Sequence, residues 1–178
     1  QSTMPTIEYN ERLLNKAIME MDTNEAHYSD ANMTMRLSYG YIQDYTANGT
    51  HYDYFTTSQS LLDKVAQQNE IADYVMEPEI AKLLKKGKFG KYKDKKTKQM
   101  QLCFLSNNDI TGGNSGSPMF DGNGHVIGLA FDGNWEAMAG DISFDPTLQR
   151  CIGVDIRFVL WIIERWGGGK NIIKELGL

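Results

Sequence analysis

The sequence is poor in the features that would place it in several large classes of protein. Its 178 residues contain no run of about 18 apolar residues, so the sequence predicts no membrane-spanning helix. Its only two cysteines, Cys103 and Cys151, can either form one disulfide bond in an oxidising compartment or remain buried thiols. The composition, 41% hydrophobic and 23% charged, excludes an intrinsically disordered chain and predicts a compact body with one core.

Positive charge is concentrated in one segment of an otherwise acidic chain. Residues 82–98 contain nine lysines and one aspartate, a charge of +8, whereas the whole chain carries −5, so the remainder carries −13. The segment lacks arginine, and its aromatic residues Phe89 and Tyr92 lie among glycines and lysines instead of forming a stacking face. The pattern favours a solvated surface segment over a nucleic-acid interface, and no nucleic-acid partner is predicted.

A glycine-rich turn is the feature of this sequence that points to chemistry. Residues 111–118 read TGGNSGSP and precede an apolar, alternating stretch. Acyl transfer by serine requires a hydroxyl raised on a tight turn, with backbone N–H groups nearby to receive the negative charge that develops on the carbonyl oxygen. Ser115 is therefore the candidate nucleophile, and Gly113 can adopt backbone angles that aim its N–H and that of Ser115 into one oxyanion hole. The alternative is a tight loop that contains a serine without a catalytic role.

Hydrophobic periodicity predicts a mostly β chain with flanking helices. The 3.6-residue period and the helix stop signals predict helical segments at residues 7–21, 58–69, 78–86, 159–166 (with a stop at Gly167) and 170–176. Short or alternating apolar runs predict extended segments at residues 33–45, 100–105, 126–131 and 150–155. The first extended segment is expected to form a hairpin around Tyr39 and Gly40.

The length of the chain limits how much of a serine peptidase it can hold. A chymotrypsin-type enzyme carries histidine, aspartate and serine in that order on two β-barrels, and domains of that kind need about 200–250 residues. With 178 residues and a helical start, this chain has room for one barrel. We therefore interpret residues 1–29 as a helical segment and residues 30–178 as the C-terminal β-barrel of a trypsin-like double-barrel peptidase. The general base and its orienting carboxylate are expected upstream of Gln1.

The strand predicted to return from the serine turn should border the substrate pocket. Residues 129–134 pass beside the candidate nucleophile, and no arginine, lysine or histidine occurs at that end of the strand. Because Phe131 is apolar and Gly133 has no side chain to fill the space, the pocket is expected to accept an apolar or bulky side chain and to reject an acidic one. Asp132 can pair with an ammonium group at the rim. The alternative is a turn-forming aspartate before Gly133 and Asn134.

None of the three histidines fits the role of general base. His27 follows the first helix in a loop, His51 lies in a polar turn, and His125 follows the tip of the hairpin after the serine, where it should face solvent or a cross-strand neighbour. Without a base, the hydroxyl of Ser115 keeps its ordinary acidity and is a poor nucleophile. The chain alone is therefore predicted to be inactive.

Four strings of the sequence resemble one known family. They are DANMTMRL at residues 30–37, DITGGNSGSP at residues 109–118, GLAFDGNWE at residues 128–136 and VDIRFVL at residues 154–160. Together they resemble the C-terminal region of the bacterial dipeptidyl-peptidase seven and eleven family, over residues 7–176. The distinctive string is FDGNWE, because GNSGSP is shared with glutamyl endopeptidases and other trypsin-like bacterial enzymes.

The resemblance implies a fold, an activity and a set of residue roles. Members of that family are periplasmic or cell-surface serine exopeptidases of Gram-negative bacteria that release dipeptides from free peptide N-termini, built as a chymotrypsin-like double barrel with a helical domain over the cleft. By resemblance, Ser115 is the nucleophile, Gly113 and Ser115 donate to the oxyanion, and Asp132 holds the terminal ammonium of the substrate. Glycine at position 133 goes with apolar residues at the cleavage position and arginine with acidic ones, so Gly133 implies the seven-like branch.

The resemblance also implies the partners of the chain. They are peptides with a free N-terminus and the rest of the same polypeptide, namely its first barrel and the helical domain that residues 1–29 would end. A homodimer stays open, and no metal and no cofactor are predicted.

Two other functions stay open on the sequence alone. One is a non-catalytic, pseudo-protease domain that binds peptides by capturing their amino groups through Asp132. The other is a glutamyl-endopeptidase-like serine protease, which would need a cationic or imidazole group near the return strand. Leu129 and Ala130 supply neither group.

Overall fold

The structure of the chain is a computed structural model that describes residues 3–21, 23, 34–68, 71, 74–140 and 143–178. It divides into two compact units, Gln1–Thr34 and Met35–Leu178. The described residues of the first unit form one helix, α1 (Met4–Met21), which begins one turn before the predicted residues 7–21. The predicted helix is thus confirmed, and all of its side chains are exposed.

The first two strands of the second unit form a β-hairpin at a place where none was predicted. Strands β1 (Tyr45–Ala47) and β2 (Thr50–Tyr52) pair antiparallel across a two-residue loop. The loop residues Asn48 and Gly49 both have positive φ, 50° and 76°, as a type I′ turn requires. Asn-Gly is the dipeptide that favours this turn, so the signal for the hairpin was present in the sequence.

The hairpin predicted around Tyr39 and Gly40 is wrong for its described part, residues 34–45. Tyr45 belongs to β1, and residues 34–44 form no hairpin of their own: their one bridge joins Ile42 to Ser106. They run instead along Asn107, whose side-chain oxygen accepts from Tyr41 N at 2.6 Å. Gly40 permits this close approach, because a Cβ at that position would collide with the side chain of Asn107.

A five-stranded antiparallel sheet forms the centre of the second unit. Its strands are β3 (Phe55–Thr57), β4 (Gln101–Ser106), β5 (Pro118–Phe120), β6 (Val126–Gly133) and β7 (Cys151–Asp155). They are hydrogen-bonded in the order β3-β4-β7-β6-β5. The extended segments predicted at residues 100–105, 126–131 and 150–155 are confirmed to within two residues.

The predicted closed β-barrel does not form in the described part of the chain. Closure requires the first and last strands to pair, but β3 and β5 are the opposite edges of an open sheet. Both edge strands are only three residues long, which leaves few backbone groups to pair with each other. The unit is therefore a mixed helix and sheet fold.

Four α-helices accompany the sheet in the described part of the second unit. They are α2 (Ser58–Gln67), α3 (Pro78–Lys86), α4 (Ile156–Arg165) and α5 (Lys170–Glu175). The bounds of α3 match the prediction because both of its end signals are local. Pro78 occupies the first turn, and Gly87 ends the helix with a φ of 62°.

The hydrophobic core includes part of the lysine-rich segment. Six buried side chains form the core cluster: Leu84, Phe89, Tyr92, Met100, Leu102 and Trp161. The first three belong to residues 82–98, whose nine lysines are all exposed. Burial and a 2.6 Å hydrogen bond from its hydroxyl to Glu164 raise the pKa of Tyr92 to about 12. The prediction of a solvated surface segment is confirmed, and its apolar side chains anchor it to the core.

Both cysteines are free thiols, which answers the question that the sequence left open. They lie on the neighbouring strands β4 and β7, but Cys103 is opposite Val154 and Cys151 is opposite Ser106, three register positions apart. Three positions along a strand correspond to about 10 Å, which is too far for a disulfide bond. Burial raises the pKa of Cys151 to about 11.

Arg150 is almost fully buried although it carries a charge, with 2% of its surface exposed. Its guanidinium donates to backbone carbonyl groups in the segment before β1 and in the loop before β7. The acceptors include Asp44 O at 2.8 Å from Nη2, and Pro146 O and Gln149 O at 2.9 and 2.7 Å from Nη1. Arg150 therefore fastens the segment before β1 and the loop before β7 to the start of β7.

Replacing Arg150 is expected to destabilise the chain. Arg150→Ala should lower the free energy of unfolding by about 2–4 kcal/mol, because a buried side chain is removed and the carbonyl groups of Asp44, Pro146 and Gln149 lose their donor. Urea denaturation followed by tryptophan fluorescence measures this loss. Arg165→Ala is the control: that side chain is 44% exposed and lies 3.8 Å from Glu164, so its removal should cost less than about 1 kcal/mol. Equal losses in the two variants would contradict the assigned role of Arg150.

Candidate active site

The turn that carries Ser115 is held closed by its own hydrogen bonds. The side-chain oxygen of Asn114 accepts from Thr111 N at 3.0 Å, and Asn114 N donates to Thr111 O at 3.2 Å. Gly113 and Gly116 have φ values of 102° and 82°, which residues with a side chain rarely adopt. The glycines of the motif are therefore required by the shape of the turn.

Two backbone hydrogen bonds dock this turn onto strand β6. Gly116 N donates to Ala130 O at 2.7 Å, and Ala130 N donates to Ser117 O at 2.8 Å. Ser115 directly precedes Gly116, is exposed, and donates through Oγ to Phe131 O at 3.3 Å. The hydroxyl therefore lies at the surface beside the last residues of β6, where the sequence placed the substrate pocket.

Two backbone amides beside the hydroxyl lack an acceptor within the described part of the chain. Gly113 N and Ser115 N take part in none of the hydrogen bonds that close the turn or dock it onto β6. Both amides flank Asn114 on the exposed turn. They are therefore free to donate to an oxygen of a bound molecule, which is one requirement for an oxyanion hole.

A β-bulge near the end of β6 sets the directions of Phe131 and Asp132. The register with β7 pairs Ala130 with Gly153 and Asp132 with Ile152, so Phe131 is the extra residue. Phe131 and Asp132 are both exposed, whereas Ala130 is buried. Asp132 makes no ion pair with the described residues, and its Oδ1 accepts from Gly133 N at 2.8 Å.

Gly133 is followed by a 3₁₀ turn, Trp135–Ala139, that folds back against it. A Cβ built on Gly133 would lie 2.8 Å from the Cβ of Ala137. Asn134, which is 8% exposed, holds the base of the turn: its Nδ2 donates to Leu148 O at 2.9 Å. Neither the anchoring contact of Asn134 nor the position of Ala137 was predicted from the sequence, because both form only in the folded chain.

No histidine of the described part touches Ser115. His125 is exposed, as predicted, and its Nδ1 lies 3.1 Å from Asp121 Oδ2 at the tip of the hairpin between β5 and β6. His51 Nε2 lies 3.5 Å from Asp53 Oδ1. His27 lies outside the described residues. That none of the three histidines is the general base stays a prediction.

Neither a metal centre nor a transmembrane helix is found in the ranges that the structure describes. No group of three or more His, Cys, Asp or Glu side chains is placed to bind a metal ion there. None of the helices there is both long and apolar enough to cross a membrane.

The chain is similar to known peptidases over its full length. A family model described as Peptidase S46 matches residues 1–178. Dipeptidyl-peptidase 7 of Porphyromonas endodontalis is 50% identical over 179 residues, which cover 100% of this chain and 21% of the relative. The Asp/Glu-specific dipeptidyl-peptidase of Porphyromonas gingivalis is 36% identical over 162 residues, covering 90% and 22%. The crystal structure of Porphyromonas endodontalis DPP11 in complex with the dipeptide Arg-Glu matches with a TM-score of 0.80 and 32% identity, over 91% of this chain and 23% of that one.

These matches define the family of the chain. The chain belongs to the peptidase S46 family. It spans about a fifth of the length of the curated relatives that it matches. The resemblance inferred from the four sequence strings is confirmed, whereas the roles of Ser115, Gly113, Asp132, Gly133 and Phe131 stay predictions.

The contact between Asp121 and His125 predicts that the stability of the fold decreases at acidic pH. Backbone and side-chain hydrogen bonds from His125 hold the pKa of Asp121 at about 2, below its usual value of 3.8. Because the pKa is depressed in the folded chain, this carboxylate stabilises the fold fully above about pH 3.8, and the contribution is lost as the pH falls towards 2.

The free energy of unfolding should therefore fall less steeply in Asp121→Asn than in the parent protein as the pH is lowered from 5 to 2. This fall is the acid limb of the stability curve. Urea denaturation at each pH measures the free energy of unfolding of both proteins, and other carboxylates cancel in the difference. Glu175→Gln, which removes an exposed carboxylate on α5, is the control and should leave the limb unchanged. The same slope in Asp121→Asn and the parent sequence would refute the prediction.

Proposed function

We propose that this chain is the C-terminal portion of a serine-type dipeptidyl peptidase. The observation that carries the proposal is the exposed hydroxyl of Ser115 on a glycine turn, flanked by two amides without acceptors, in a chain of a peptidase family. The rest of the polypeptide would supply the histidine and the aspartate. In that larger protein, the open sheet would belong to the second half of a chymotrypsin-like double barrel.

The proposed reaction begins when Ser115 Oγ leaves Phe131 O and gives its proton to the histidine. The oxygen attacks the carbonyl carbon of the second substrate residue, and the negative charge on the carbonyl oxygen is stabilised by Gly113 N–H and Ser115 N–H. The histidine then gives the proton to the leaving amine. A water molecule releases the dipeptide from the acyl-enzyme by the same steps.

Asp132 would fix the length of the product by binding the terminal ammonium. It directly follows Phe131, whose carbonyl oxygen is the acceptor of Ser115 Oγ at 3.3 Å, so the carboxylate is carried by the next residue of the same strand end. A carboxylate that accepts from an ammonium group forms a charge-assisted hydrogen bond. A peptide held by its N-terminus so close to the hydroxyl can present only a bond near that terminus, which supports an exopeptidase.

The proposed substrates have an apolar second residue. Exposed Phe131 and the bare backbone of Gly133 offer no charge to an acidic side chain. The relative named dipeptidyl-peptidase 7 is 50% identical to this chain, against 36% for the one named Asp/Glu-specific, which supports the seven-like branch. From the family resemblance alone, we propose the periplasm or cell surface of a Gram-negative bacterium as the location.

A second candidate is a peptide-binding domain without catalysis. One observation favours it: the described histidines do not touch Ser115, and the acceptor of its hydroxyl is a carbonyl oxygen, which cannot take up a proton. The chain by itself is expected to be inactive under both proposals.

Replacement of Ser115 separates the two proposals. In the full-length polypeptide, Ser115→Ala should lower kcat for dipeptide release by at least about 10⁴-fold with little change in peptide affinity. The measurement is release of a fluorogenic dipeptide with an apolar second residue. Ser117→Ala, in the same turn, is the matched control and should keep most of the activity. Unchanged turnover in Ser115→Ala would end the serine-peptidase proposal, and no turnover in either protein would favour the binding domain.

Replacement of Asp132 tests the capture of the ammonium group. Asp132→Asn should lower kcat/KM for a peptide with a free N-terminus by at least about 30-fold, because the charge-assisted hydrogen bond between the carboxylate and the ammonium group is lost. The N-acetylated form of that peptide should be cut poorly by both proteins. Asp63→Asn, on the exposed face of α2, is the control. Equal cleavage of the free and acetylated peptides by the unaltered enzyme would contradict this role.

A further inference from the structure

The space beside Gly133 is occupied by a side chain of its own chain. A Cβ on Gly133 would lie 2.8 Å from Ala137 Cβ and 3.9 Å from Arg150 O. Carbon atoms in contact are about 3.5–4.0 Å apart, so the first of these distances is a collision. The methyl group of Ala137 therefore sets how much room remains on this side of β6.

The 3₁₀ turn that carries Ala137 is held in place and cannot simply move aside. Asn134 N donates to Arg150 O at 2.9 Å, and Arg150 N donates to the Asn134 side-chain oxygen at 2.8 Å. The turn then closes through Ala137 N to Asn134 O at 3.0 Å and Gly140 N to Ala137 O at 2.9 Å. Because Asn134 and Arg150 are buried, shifting the turn would unpair buried polar groups.

The methyl group of Ala137 lies beside strand β6, which also contacts the candidate nucleophile. Phe131 O is the acceptor of Ser115 Oγ, and Gly133 lies two residues further along the same strand. Two large apolar side chains of the turn, Trp135 and Met138, are 83% and 79% exposed. The 3₁₀ turn therefore lies beside β6, the strand along which the substrate is expected to bind.

We infer that Ala137 is a specificity-determining residue, whose methyl group limits the size of the substrate side chain accepted beside Gly133. The inference rests on the proposed peptidase function and deepens it by naming a second position that sets the pocket wall. Ala137 acts through its volume: the fixed turn presents it at the position where a side chain on residue 133 would begin. Removal of the methyl group should deepen the pocket, and a Cβ on residue 133 should be tolerated only when that methyl group is absent.

The experiment uses the full-length polypeptide and fluorogenic dipeptides whose second residue is alanine, leucine or phenylalanine. Ala137→Gly is expected to raise the ratio of kcat/KM for phenylalanine over alanine by roughly tenfold, the effect of about one methyl group in an apolar pocket. Gly133→Ala should lower kcat/KM for the bulky substrates, and Ala137→Gly in the same protein should restore it. Met138→Gly is the matched control, since it also places a glycine in the turn but removes no atom next to Gly133, and it should not rescue Gly133→Ala.

Two results would overturn the inference. One is an unchanged phenylalanine-to-alanine ratio in Ala137→Gly. The other is equal rescue of Gly133→Ala by Met138→Gly, which would assign the effect to flexibility of the turn. A rescue seen only in thermal stability, with every substrate ratio unchanged, also counts against it, because it would leave Ala137 a purely structural role.

Failure of the peptidase proposal is a distinguishable outcome. It would appear as absence of dipeptide release from the unaltered protein, or as full turnover by Ser115→Ala. The inference is then decided by the Kd values of the same peptides measured by calorimetry on the Ser115→Ala protein with and without Ala137→Gly. A shifted phenylalanine-to-alanine ratio of Kd supports it, and an unchanged ratio refutes it.

Discussion

The paired hydrogen bonds between Asn134 and Arg150 hold together the parts of the chain that form the candidate site. The end of β6 and the start of β7 are joined by a backbone bond of 2.9 Å and a side-chain bond of 2.8 Å, and the Arg150 guanidinium extends the network to Asp44 O. Buried polar groups that are fully paired in this way are costly to disturb, since any shift leaves several of them unsatisfied at once. The residues on either side of Asn134, Gly133 before it and the 3₁₀ turn after it, therefore have one fixed relation to each other.

The candidate site combines groups that bind charge with a hydroxyl that nothing in the described chain can activate. Amides at the surface are hydrated at little cost, so Gly113 N–H and Ser115 N–H can stay in place until an anionic oxygen replaces water. The carbonyl of Phe131 orients the Ser115 hydroxyl but cannot accept its proton. Under the proposed function, orientation and charge stabilisation would reside in this chain, whereas proton transfer would require a base from the rest of the polypeptide. This division agrees with a chain that spans about a fifth of the length of its relatives.

Features set by local chemistry were predictable from the sequence, and features set by contacts between distant residues were not. Helix α3 was placed correctly because Pro78 and Gly87 mark its ends. The serine turn was found because its glycines have a local conformational reason, with Gly113 at a φ of 102°. The hairpin around Gly40 was wrong because that glycine serves a close approach to Asn107, 67 residues away, and not a turn. Barrel closure was overestimated because strand number and length decide it, and no single strand carries that information.

The bulge at Phe131 shows how a small irregularity determines what the strand presents to a ligand. In an unbroken strand, Asp132 would share a face with Gly128 and Ala130, both of which are buried. A carboxylate there would face the core without a cation and would be costly to ionise. The extra residue turns Asp132 to the surface directly after the carbonyl that accepts from Ser115 Oγ. The hydroxyl contact and the carboxylate thus become neighbours on one exposed strand end. Gly133 follows, with only its backbone facing Ala137. The single inserted residue therefore gives Phe131, Asp132 and Gly133 three different chemical environments.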